Sequence, residues 1–174
     1  LVPAAARVSD WKARLAAKSG APVIGISWRG GTRKTRASLR SLELSDLLPL
    51  AHARNCHFVS LQRGERHEET ECAQAAGWEM SRWPDALEDP DESAALIAAL
   101  DLVISVDNTI VHLAGALGKP CWTLLAQVPD WRYGLTGSAM PWYPSLRLFR
   151  QKSDRNWEPV VDALATALVA FDRH

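Results

Sequence analysis

Hydrophobic positions in this chain fall into short runs separated by stretches with helical spacing. PVIGISW (22–28), HFVSLQ (57–62), WEMSR (78–82), LVISV (102–106), CWTLL (121–125) and LRLFR (146–150) are mostly β-branched or aromatic and bounded by turn formers, so they predict six strands. Between them, 41–53, 67–77, 91–101, 108–118 and 156–171 carry helix formers with apolar positions near a 3.6 period, and residues 1–20 predict a lead-in helix. Ser45, Asp91 and Asn108 stand where N-caps belong, and Gly77 and Gly118 where helices stop. VIGIS and LVISV have no polar face, as strands covered on both sides should not. The pattern predicts an α/β fold: a doubly wound, mostly parallel Rossmann-like sheet with helices on both faces, forming one domain over 1–174. Residues 126–145 match no element; with PDWRYG and MPWYP the stretch is aromatic, and an ordered loop is expected.

Composition narrows the picture mainly by exclusion. At 174 residues, 47% apolar and 23% charged, the chain is long enough for a real core and ordinary for a globular domain. Twenty Lys+Arg offset twenty Asp+Glu, so no global field points to nucleic acid or to anionic lipid. Cys56, Cys72 and Cys121 are widely spaced without a CxxC pair, which predicts reduced thiols. No apolar run approaches the roughly 20 residues of a membrane span, and no signal peptide opens the chain, so a cytoplasmic location is expected.

Ligands of open α/β sheets bind beyond the carboxyl ends of the strands, where strand order reverses. Three stretches there carry chemistry. In SVDNTIVHLAGALGKP (105–120) a helix begins just after a strand, so its free amides and positive dipole end point into the crevice, a site suited to phosphate. Asn108 can cap this helix and Thr109 adds a hydroxyl. His112 lies about 200° around from Ile110, on the cap's face and off the stripe of Ile110, Leu113, Ala114 and Leu117. The same residues also suit a plain cap, with His112 bonded to a nearby carbonyl. WRGGTRKTRASLR (28–40) places Arg29, Arg33, Lys34, Arg36 and Arg40 around Gly30-Gly31 with no acid among them. That suits an anion, or a solvated loop balanced by DALEDPDE (85–92). In SLQRGERHEE (60–69), Gln62, Gly64 and Glu65 follow a strand, where a carboxylate can accept from ribose hydroxyls or a base. The nearby acids lack metal-ligand spacing, so no metal site is expected. No GxGxxG, Walker or GxSxG motif is present.

Taken together, ISWRGG, RSLEL, FVSLQRGE, DLVISVDNTIVHLAGALGKP, PDWRYG and PWYPSLRLFRQ resemble the C-terminal half of family 9 glycosyltransferases. The likeness is in particular to the ADP-heptose:lipopolysaccharide heptosyltransferase-like domains that follow tetratricopeptide repeats in bacterial proteins. The resemblance spans about 20–171, and its most specific part is D-x-x-x-x-H-L-A-x-A-L-G-x-P from Asp107 to Pro120. It implies one half of a GT-B architecture, with a nucleotide diphosphate sugar as substrate, bound without metal or other cofactor. Backbone amides of Asn108, Thr109 and Ile110 would hold the diphosphate, and Asp107 and His112 would hold that turn and reach the phosphate or the sugar end. Glu65 would lie near ribose or base, beside Gln62 and Gly64, with Gly30 and Gly31 in the substrate site. Arg29, Arg36 or Arg40 would meet charge on the leaving diphosphate. Where the family typically has Thr-Gly after the aspartate, this chain has Asn108-Thr109. The resemblance also implies that transfer to a hydroxyl acceptor is inverting, and that the general base sits in an N-terminal domain outside this chain. A start at Leu1 fits a further region upstream, either that half or tetratricopeptide repeats. The alternatives are a non-catalytic nucleotide-binding or interaction module and a sugar-nucleotide epimerase.

Overall fold

All six predicted strands form. The computed structural model describes residues 1–17, 20–32, 34, 37–152 and 155–172. The strands are β1 (Val23–Ser27), β2 (His57–Ser60), β3 (Met80–Ser81), β4 (Leu102–Val106), β5 (Cys121–Leu125) and β6 (Leu146–Arg150). They make one sheet in the order β3-β2-β1-β4-β5-β6, parallel at every pairing. Strand order therefore reverses between β1 and β4, whose register pairs Ile24 with Leu102 and Ser27 with Ser105. A crevice at the carboxyl ends of these two strands is built into the topology.

Among the described residues, seven α-helices flank the sheet: α1 (Ala5–Ala16), α2 (Leu48–Ala53), α3 (His67–Ala75), α4 (Pro84–Glu88), α5 (Pro90–Ala99), α6 (Thr109–Ala116) and α7 (Glu158–Val169). Alternation along β1 and β4 sends side chains to two cores. Val103 joins Trp11, Leu96 and Val111 under α1, α5 and α6, whereas Ile24, Ile26, Leu102 and Ile104 join Leu50, Leu164 and Leu168 under α2 and α7. That is why neither strand has a polar face. Among the described residues no helix is long and apolar enough to cross a membrane. The cysteines are free, and burial pushes the Cys121 thiol up to about 12.

Several local expectations shift. The helix expected over 41–53 is broken into a 3-10 turn, Leu44–Leu47, and α2, because Pro49 occupies the start of a new helix and lacks an N–H for the turn before it. Ser45 lies inside that turn; its cap is Glu43, in a reciprocal box with Asp46. Asp91 likewise sits in the first turn of α5, and Asp89 is the cap, accepting from the amides of Asp91 (2.8 Å) and Glu92 (3.4 Å). Within the acidic stretch 85–92, α4 forms where no helix was expected. Asn108 caps α6, and Gly77 and Gly118, at φ +81° and +66°, stand just beyond helix ends. The 126–145 stretch is ordered by a 3-10 turn (Trp131–Tyr133) and a bridge between Ala139 and Arg147.

Candidate functional site

Three side chains tie the carboxyl ends of β4, β1 and β2 together. Asn108 accepts the Ile110 amide at its Oδ1 (2.9 Å) and donates from Nδ2 to the Ser27 hydroxyl (2.8 Å) and the Arg29 carbonyl (3.1 Å). Ser27 donates to Gln62 Oε1 (3.2 Å), which also accepts the amides of Trp28 (3.1 Å) and Arg29 (2.8 Å). Asn108 and Gln62 thus spend their side chains on the frame. Ser27, which the sequence reading passed over, is the link between them. Gly30 completes the frame by close approach: a Cβ there would stand 2.5 Å from the Asp107 carbonyl oxygen and 3.1 Å from Asn108 Cβ.

The frame opens onto a cavity of about 710 Å³. Arg29, Gly30, Gly31, Gln62, Asn108, Thr109, Ile110 and His112, all singled out from sequence, line it. Thr109 is exposed at the start of α6, and among the described residues no hydrogen bond takes the amides of Asn108 or Thr109. The Ile110 amide is not open, because the cap uses it. His112 is half-buried on the cavity side, its ring 6.3 Å from that of Tyr133 and 6.0 Å from that of Tyr143. Ile110, Val111 and Ala114 enter the core, and Leu113, expected in the buried stripe, is half-buried against that core and also borders the cavity with Leu61 and Leu87. α6 packs against β4 and β5, and Leu61, Leu87 and Leu113 form an apolar wall of the cavity. A helix terminus facing polar loops on one side and aliphatic side chains on the other can hold an anion that carries a flat apolar group.

The cations of 28–40 behave differently. Arg29 pairs with Glu69 and donates to the Gly64 carbonyl (2.9 Å). Burial works to raise the Glu69 pKa, but the hydrogen bond and charge of Arg29 outweigh it and hold the carboxyl below its usual range. Arg40 pairs with Asp107 at 2.8 Å, facing a separate cavity of about 550 Å³ beside Gln127 and Asp130. Arg33 and Arg36 lie outside the described residues. Among the described residues, the acids of 85–92 pair elsewhere: Glu92 and Asp89 with Arg7 of α1 (3.0 and 3.6 Å) and Glu88 with Arg63 at the cavity rim.

Asp107 is buried and takes no part in the cavity wall. One oxygen accepts from Arg40 and the other from the Tyr133 hydroxyl at 2.9 Å. Its carboxylate ties the start of the turn to Arg40 and Tyr133 and does not reach into the crevice. Gly64 and Glu65 line an adjoining cavity of about 350 Å³ that shares Gln62, Arg63, Leu87 and Glu88 with the first. Glu65 accepts from the Ser60 hydroxyl and lies 3.9 Å from Arg82. Burial raises its pKa against the opposing charges of Arg82 and Arg29. Glu65, Glu69 and Glu71 diverge, to Ser60, Arg29 and His67 in turn. Tyr133, Leu87 and Arg63 carried no sequence signal of their own; only PDWRYG hinted at the first.

A glycosyltransferase family 9 (heptosyltransferase) model matches residues 45–161. Protein FlbA of Caulobacter vibrioides is 35% identical over 175 aligned residues, spanning 98% of this chain and 29% of FlbA. Among solved structures, E. coli ADP-heptose lps heptosyltransferase II superposes with a TM-score of 0.61 at 18% identity, covering 98% of this chain and 53% of that one. E. coli heptosyltransferase WaaC with ADP gives 0.59 at 17%, covering 90% and 47%. A glycosyl transferase family 9 protein from Veillonella parvula gives 0.59 at 12%, covering 92% and 52%. These structures share the Rossmann-like fold, and the chain spans about half of each. The family match extends over every strand from β2 to β6 and the whole of α6, and so the chain belongs to glycosyltransferase family 9.

Proposed function

We propose that this chain is the donor-binding half of a GT-B glycosyltransferase that moves a sugar from a nucleotide diphosphate sugar to a hydroxyl acceptor. The observation that carries the reading is the 710 Å³ cavity at the β1–β4 switch point, where the open amides of Asn108 and Thr109 meet an apolar wall. The diphosphate lies on that first turn, with the Thr109 hydroxyl and His112 beside it. The nucleoside runs along Leu87 and Leu113 toward Glu65, whose carboxylate accepts from the ribose or base. Helix dipole and backbone amides meet the charge that develops on the leaving nucleoside diphosphate, without a metal ion. The general base comes from a second domain, upstream in the complete cytoplasmic protein, where tetratricopeptide repeats are the other candidate neighbour.

Calorimetric titration with ADP, UDP, GDP and their sugar conjugates, without metal, tests this. Binding of one nucleoside diphosphate, weakened about tenfold in His112→Ala, supports the reading and names the base. Absence of binding by all of them, in this chain and in the complete protein, overturns it.

One observation favours a second reading, a nucleotide-binding module without transfer: Arg29 and Arg40 are spent on Glu69 and Asp107. Donor binding without turnover in the complete protein selects this alternative.

A further inference from the structure

We propose that Tyr133 and Arg150 are positioning residues that keep Asp107 from capping α6 and so leave the helix amides open for a diphosphate; this rests on the donor-binding reading above. An aspartate side chain readily accepts the amide two residues on, closing an Asx turn. In Asp107 that partner is Thr109, one of the two open amides, so a released carboxylate would both occupy the phosphate position and repel an arriving anion. The structure prevents this from two sides. Arg40 holds one carboxylate oxygen at 2.8 Å from a loop 67 residues earlier in the chain. The Tyr133 hydroxyl holds the other at 2.9 Å from a loop 26 residues later. Tyr133 is buried, so its hydroxyl has a fixed direction.

What aims Tyr133 is Arg150, at the end of β6. Its guanidinium donates to the carbonyls of Tyr133 (2.6 Å), Gly137 (2.7 Å), Gly134 (3.0 Å) and Thr136 (3.2 Å), gathering the 133–137 backbone around one charge. Asp130 starts the turn by accepting the Arg132 amide at 3.2 Å. The planar five-donor fork is specific to arginine, and lysine cannot span four carbonyls in this way. The loop is thus a strap: locked to the sheet at Arg150, it delivers one hydroxyl to the residue that precedes the donor turn.

Tyr133→Phe removes that hydroxyl alone, and Arg150→Met loosens the strap without touching Asp107. Two readouts separate positioning from plain stability. In titrations with ADP and with adenosine (or UDP and uridine, GDP and guanosine, if those are the bases taken), Tyr133→Phe weakens the diphosphate about tenfold, the worth of a hydrogen bond to a charged group, and leaves the nucleoside unchanged. Arg150→Met gives the same split. In native-state hydrogen exchange of the free protein, the Thr109 amide of Tyr133→Phe exchanges more slowly than in wild type, because Asp107 now takes it, while α7 is unaffected. A merely structural tyrosine gives the opposite sign: faster exchange at Thr109 along with the rest of α6, and equal losses for diphosphate and nucleoside. Either of those results overturns the proposal. Should wild type bind no nucleotide, the donor reading is what fails, and the sign of the exchange change at Thr109 still decides whether Tyr133 keeps that amide open.

Discussion

The turn at 105–112 and the loop at 28–41 flank the same crevice and both looked like anion sites, yet they are built on different physics. At the turn, the attraction for an anion resides in the backbone: the first amides of α6 are open, and the carboxylate of the turn, Asp107, takes no part in the cavity wall. In the loop, charge is abundant, but Arg29 and Arg40 are neutralised by partners 40 and 67 residues away. A cation in sequence is a charge in a site only if the fold leaves it unpaired. An open helix terminus is harder to cancel, because only a cap or a ligand can take its amides.

The largest effect that can break this comparison is expected from Arg40→Met. Its side chain is 18% exposed and that of Asp107 6%, so the substitution leaves a nearly buried carboxylate without its cation. Denaturant unfolding should show a loss of about 3–5 kcal/mol. If stability holds and nucleotide affinity collapses instead, Arg40 serves the ligand and the two regions are alike. Next comes Gly30→Ala. With the Asp107 carbonyl 2.5 Å from the new carbon, the loop and the turn must separate. Overpacking of this kind costs about 1–3 kcal/mol, and calorimetry should find nucleotide binding abolished. His112→Ala and Thr109→Ala are smaller: each should weaken nucleoside diphosphate binding about tenfold with an unchanged thermal midpoint. A fall in midpoint at constant affinity would assign both residues to the scaffold.

The mildest change sharpens the contrast through pH. Burial raises Glu65, so its contribution is fully present below the ordinary carboxylate range and is lost as pH rises through its folded-state value. Glu69 is lowered, so its contribution is present above the ordinary range and lost as pH falls through its folded-state value. Glu65→Gln should therefore raise stability slightly at neutral pH, and Arg29→Ala should lower stability at neutral pH while removing Glu69's share of its loss in acid. Thermal melts across pH 3–8 check both.

The residues lining the cavity were largely legible because they follow strands in a fold whose crevice position is fixed by topology. Their division of labour was not. Asn108 and Gln62 look like ligand groups in sequence, and only the distances to Ser27 and to the Arg29 backbone turn them into frame. Arg40 and Asp107 sit in separate motifs, and nothing local pairs them. Tyr133 lay inside a quoted motif, but its burial depends on how the 126–145 loop runs back along β6 and reaches Asp107 beyond β4. Asp89 displaced Asp91 as a cap because Pro90, suited to the first helical position, moved the cap of α5 back by two positions.

The sequence by itself determined the six strands, the parallel sheet and the place of α6 directly after β4. Each follows from periodicity and chain direction, both of which are local. Tertiary structure alone decided which charges remain available. Ion pairs and buried hydrogen bonds join residues distant along the chain, and their energy depends on separation and desolvation, which no linear pattern records. Asp107 carries both lessons: its place before α6 is written in the chain, and the direction of its carboxylate is set by Arg40 and Tyr133.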